Sequence, residues 1–107
     1  MTHEQEKKKH FDPENYPALQ EFLPAYLHED FVEEYGTPAK AFAALAADAS
    51  GDQIRNVKEE WHALRQALNG QPWEATQRAL AALGTAWHPQ SEQELQGVDE
   101  ILSRAEA

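Results

Sequence analysis

The sequence predicts an all-α fold, a compact single-domain bundle of about five helices. Three observations predict it. Apolar residues recur at three-and-four spacing along most of the chain, and Pro, Gly and Ser fall between those stretches as punctuation. No run alternates apolar and polar residues as a half-buried strand would. At 107 residues the chain is one domain long. A domain of this size buries roughly 65% of the surface its unfolded form exposes, enough for one core.

The elements follow in order. Residues 1–10 are polar and include Lys7-Lys8-Lys9; they are expected to fray as a tail, leaving 11–107 as the helical domain. Pro17 opens a first helix carrying Leu19, Phe22 and Leu23. Pro24 has no N–H to return to Gln20, so the helix breaks, kinks or restarts there. Ala25 to Tyr35 then reads as helix until Gly36 stops it. Thr37-Pro38 pairs an N-cap with proline at the first helical position, ahead of Phe42, Leu45 and Ala49.

Ser50-Gly51-Asp52-Gln53 has the form of a capping box. The cleanest amphipathic helix follows it, with Ile54, Val57, Trp61, Leu64 and Leu68 on one stripe and Asn69-Gly70 at its end. Pro72 opens the next helix, carrying Trp73, Thr76, Leu80 and Leu83 and closed by Gly84. After a short Trp87-His88-Pro89 connection, Ser91-Glu92-Gln93-Glu94 forms a second capping-box pattern before Leu95, Val98, Ile101 and Leu102. Gly97 weakens that last helix by about 1 kcal/mol relative to Ala.

Charge is unevenly placed. Of the net −10, residues 10–39 carry −7, 91–107 carry −4, 40–90 are neutral and 1–9 carry +1. A phosphate-binding protein normally presents a basic stripe, so direct binding to nucleic acid or an anionic membrane is not expected. The densest run is His28-Glu29-Asp30-Phe31-Val32-Glu33-Glu34-Tyr35. On a continuous helix, Glu29, Asp30, Glu33 and Glu34 share one face, and Phe31, Val32 and Tyr35 point to the core. The like-charge pairs 29–33, 30–33 and 30–34 then cost about 1 kcal/mol together. This is either a solvated face or a surface for a cationic protein.

Catalytic patterns find no support. With no Cys, disulfides, thiolate metal sites and Cys nucleophiles are excluded. Glu59 and His62 form one E-x-x-H, but a di-iron bundle needs a second such motif and two further Glu. His28-Glu29 lacks the second His of a zinc-protease helix, since position 32 is Val. Ser50 and Ser91 are read as helix caps and Ser103 as a tail residue. No cofactor and no metal is expected. Trp61 and Trp73 lie on apolar stripes and are read as core. Trp87, outside a helix, either caps the core or serves as an exposed aromatic hot spot.

Several segments together resemble a known family. Tyr16-Pro17-Ala18-Leu19, Phe22-Leu23, Tyr26-Leu27-His28-Glu29-Asp30-Phe31 and Glu34-Tyr35-Gly36, followed by Leu83-Gly84 with Trp87 and Pro89, resemble the immunity proteins of bacterial contact-dependent growth inhibition systems. The likeness spans about residues 16–90. It departs at Leu27, Glu29 and Phe31, where the pattern has Phe, Gln and Trp, and after Ser91, where it has a Trp-containing helix.

The resemblance implies a helical protein that is not an enzyme and that binds one cognate toxin domain and blocks it. Combined with the charge map, it implies a cationic, nuclease-type toxin. The shared positions Tyr16, Pro17, Leu19, Tyr26, His28, Asp30, Phe31, Tyr35, Gly36, Leu83 and Gly84 are expected to hold the fold. Glu29, Glu33, Glu34 and Trp87 are the expected toxin contacts. The N-terminus lacks the apolar segment of a secretory signal and no apolar run approaches a membrane span, so the expected compartment is the cytoplasm. The oligomeric state is left open, a monomer being favoured. Two rival readings are a non-enzymatic scaffold module for another basic protein and a small-molecule or metal-binding bundle around Glu59 and His62.

Overall fold

The computed structural model describes residues 11–105, so the expected fraying of residues 1–10 lies outside the described residues. Within them the chain forms a short 3-10 turn, Pro13–Asn15, and six helices: α1 Pro17–Tyr26, α2 Phe31–Tyr35, α3 Pro38–Asp48, α4 Gly51–Leu68, α5 Trp73–Ala82 and α6 Glu92–Arg104. Among the described residues there is no strand. The all-α prediction holds, with one helix more than expected.

Local chemistry sets most boundaries. Thr37 Oγ1 accepts the Lys40 N–H at 3.2 Å and starts α3. Ser50 and Gln53 make both bonds of the capping box that starts α4, at 3.2 and 2.8 Å. Pro72 is the N-cap of α5. Gly36, Gly70 and Gly84 all have φ between +83° and +93°, the left-handed region that ends a helix cheaply only with glycine.

Three boundary expectations are corrected. Of the break, kink or restart expected at Pro24, the break and the restart are set aside, since α1 runs through it to Tyr26. Its missing N–H costs only one bond near the helix end, and its ring lies against Gly84. The helix expected over 25–35 is interrupted at residues 27–30, and a separate five-residue α2 follows. The capping box expected at Ser91 does not form, because Glu94 is engaged elsewhere and Ser91 makes no side-chain cap bond.

α3 packs along α6, α1 lies across α3 and α4, α2 rests on α3, and α6 also meets α4. The apolar stripes meet in one core that includes Leu19, Leu23, Phe42, Leu45, Ile54, Val57, Leu80, Leu95 and Val98. Each fully buried aliphatic side chain of this kind contributes roughly 1.5–3 kcal/mol. At its centre Phe42 stands 5.3 Å from Trp61 and 6.3 Å from Trp87, ring centre to ring centre. Trp73, expected in the core, is only partly buried at its edge.

One polar cluster fastens α4 to α6. Arg65 donates to Asp99 at 3.0–3.3 Å and to both oxygens of Glu92, and the Trp61 indole N–H donates to Asp99 at 2.6 Å. The hydrogen bonds that the guanidinium donates to Glu92, and after them those to Asp99, raise its pKa above the ordinary value against the opposing effect of burial. Asp99 thereby satisfies the indole N–H of a nearly buried Trp61.

Candidate functional site

The site grows from the reason α1 stops. Leu27 is fully buried and leaves helical geometry, and its carbonyl accepts the Ala86 N–H at 2.7 Å. The chain then turns through His28, Glu29 and Asp30. His28 Nδ1 accepts the Asp30 N–H at 3.1 Å, and the Phe31 N–H donates to the His28 carbonyl at 3.0 Å. α2 follows and ends when the Gly36 N–H bonds Val32 at 2.9 Å.

A five-residue helix has little more than one turn to offer the core. Phe31 and Tyr35, one turn apart, take that side: Phe31 is buried and Tyr35 half-buried. Val32, expected to point inward with them, is 59% exposed, standing about 100° round the helix from Phe31. It emerges among Glu29, Asp30, Glu33 and Glu34, all of which are exposed as expected. The predicted like-charge pairing is corrected in part. Glu29 precedes the helix, so the 29–33 register is lost, and Glu34 Oε1 pairs with His28 Nε2 at 3.0 Å.

The positions expected to hold the fold stand as follows. Tyr26 donates its hydroxyl to Asp48 at 2.9 Å and lies 6.2 Å from the Tyr35 ring. Burial first, then the Asp48 carboxylate, raises the Tyr26 hydroxyl above the usual phenol value. Burial and then Glu34 do the same for Tyr35. Tyr16 stacks on Phe11 at 5.3 Å and is buried, and Pro17 begins α1. The Leu19 N–H, without an intrahelical partner in the first turn of that helix, donates to Glu60 Oε1 at 3.0 Å. Asp30 sits at the N-cap of α2 but makes no side-chain cap bond.

The 83–91 connection packs against the turn. Leu83 is buried, and Gly84 at φ +93° turns the chain beside Pro24. Thr85 is buried and donates its hydroxyl to the carbonyls of Leu80 and Trp87. The expectation of Trp87 as an exposed aromatic is corrected. It is 2% exposed, its indole N–H donates to Glu94 at 2.9 Å, and its ring lies 6.5 Å from Trp61. It caps the core.

Between the turn and the connection opens a cleft of about 630 Å³, lined by Pro24, His28, Glu29, Gly84, Thr85, Ala86 and His88. Two segments far apart in sequence thus form one surface with the acidic α2 beside it. Ala86 and His88 were given no site role in the sequence, and Val32 was read as core, because no local signal marks their places: these depend on the Leu27–Ala86 bond and on the shortness of α2. Glu59 and His62 are exposed on α4. Among the described residues no three His, Asp or Glu side chains are grouped to hold a metal ion, and no buried side-chain N or O lacks a partner.

Among known proteins, the sequence model of a family described as CdiI immunity protein matches residues 15–97. No curated protein and no solved structure matches the chain.

Proposed function

The chain belongs to the CdiI immunity protein family, and we propose that it binds a cognate contact-dependent inhibition toxin domain one to one and neutralises it without chemistry of its own. The family match over residues 15–97 carries this reading. The contact surface is the acidic turn and α2, with Glu29, Glu33 and Glu34 as its charged residues. The toxin face opposite is cationic, as a nuclease's substrate-binding face is, and complementary charge speeds encounter and sets specificity.

The protein acts as a monomer in the cytoplasm, and with a net charge of −10 it does not itself engage nucleic acid. None of the described helices is long and apolar enough to cross a membrane. Exposed Val32 gives the acidic surface an apolar point of contact.

The test is titration calorimetry against the C-terminal domain of any large secreted protein encoded beside its gene. A one-to-one nanomolar heat that weakens with salt is expected. The triple variant Glu29→Lys, Glu33→Lys, Glu34→Lys should keep its helical circular dichroism and lose binding. Unchanged affinity in that variant would remove the acidic surface from the reading. No heat from the wild-type protein would overturn the immunity reading and leave the surface to another basic protein.

A further inference from the structure

We propose that the cleft between the 27–30 turn and the 84–88 connection is a socket for one basic side chain, Lys or Arg, presented by a loop of the protein partner; this rests on the immunity reading above. The lining chemistry selects the ligand. It comprises one carboxylate, Glu29, two imidazoles, His28 and His88, the hydroxyl-bearing Thr85, and the small or apolar Pro24, Gly84 and Ala86, with no Lys or Arg. An anionic ligand would meet a carboxylate and no fixed positive charge. A long basic side chain matches both halves of the lining: its stem lies along Pro24 and Ala86 and its head reaches the carboxylate.

Glu29 is available for that role. Among the described residues it makes no ion pair, whereas Glu34 is tied to His28. His28 forms one wall: its Nδ1 accepts from the Asp30 N–H, and its Nε2 stands 3.0 Å from Glu34 Oε1. The opposite wall is fixed by the 2.7 Å Ala86-to-Leu27 bond and by the two bonds of the Thr85 hydroxyl. A socket already held in shape loses little entropy on filling.

Two probes test this. In NMR titration of the isotope-labelled full chain, Nα-acetyl-arginine methylamide should shift the amides of Glu29, Ala86 and His88. The uncharged citrulline analogue should not, and Glu29→Gln should abolish the arginine response. Equal shifts with citrulline, shifts that survive Glu29→Gln, or no shifts at the cleft would overturn the socket. With the neighbouring toxin domain, Glu29→Gln should weaken binding about tenfold, mainly by faster dissociation. If the wild-type protein binds the toxin and Glu29→Gln leaves dissociation unchanged, the socket fails and the immunity reading stands. If arginine occupies the cleft and the toxin domain does not bind, the immunity reading fails instead.

Discussion

Glu94 shows how one carboxylate can be claimed by two structures. Its spacing from Ser91 reads as a capping box, yet it accepts the Trp87 indole N–H at 2.9 Å and the Gln90 N–H at 2.9 Å. A nearly buried indole N–H without an acceptor costs about 1–3 kcal/mol, more than a cap contributes at an exposed helix start. The tertiary bond wins. At Ser50 no such competitor exists and the same pattern forms its box. Urea denaturation should separate the two sites. Ser50→Ala should cost about 1 kcal/mol, Ser91→Ala a few tenths at most, and Glu94→Ala about 1–3 kcal/mol. The capping pattern was legible in both places; which partner Glu94 takes was not, because Trp87's burial depends on Phe42 and Trp61 from other helices.

Among the elements, α3, α4 and α5 were legible because their caps and apolar stripes agree. The break between α1 and α2 was not, because the Leu27 carbonyl is captured by Ala86 from the far side of the fold. Gly84 and Gly97 make opposite predictions. Gly84 sits at φ +93° with Pro24 Cγ 3.4 Å from where a Cβ would stand, so Gly84→Ala should destabilise by about 1–3 kcal/mol. Gly97 lies within α6, and a Cβ there would meet Ala39 at 3.8 Å, ordinary contact. Gly97→Ala should therefore stabilise by about 0.5–1 kcal/mol, with both changes read as shifts in urea midpoint. The α1–α2 junction also has a pH signature. Tyr26 and Tyr35 hold their protons more tightly folded than unfolded, by burial first and then by nearby carboxylates. Their contribution is intact below pH 10 and is lost as pH rises through the raised values. Tyr26→Phe should make the alkaline fall in stability shallower.

At the scale of the whole molecule, charge segregation has kinetic consequences that no single contact supplies. Residues 10–39 carry −7 and 91–107 carry −4 while 40–90 are neutral, so the largest block of acidity lies toward one end of the chain. In the fold that end includes the turn and α2, where Glu29, Asp30 and Glu33 all stand exposed. Exposed charges act beyond contact only within a Debye length, about 8 Å at physiological salt, so steering by this end should fade as salt is added. Stopped-flow association with the toxin domain should accordingly slow several-fold between roughly 50 and 300 mM salt, while dissociation changes little. Glu33→Gln should lower the association rate and flatten its salt dependence. Asp52→Gln, on the neutral middle of the chain at the start of α4, should do neither. Equal effects at the two positions would mean that net charge, and not its placement on α2, drives encounter.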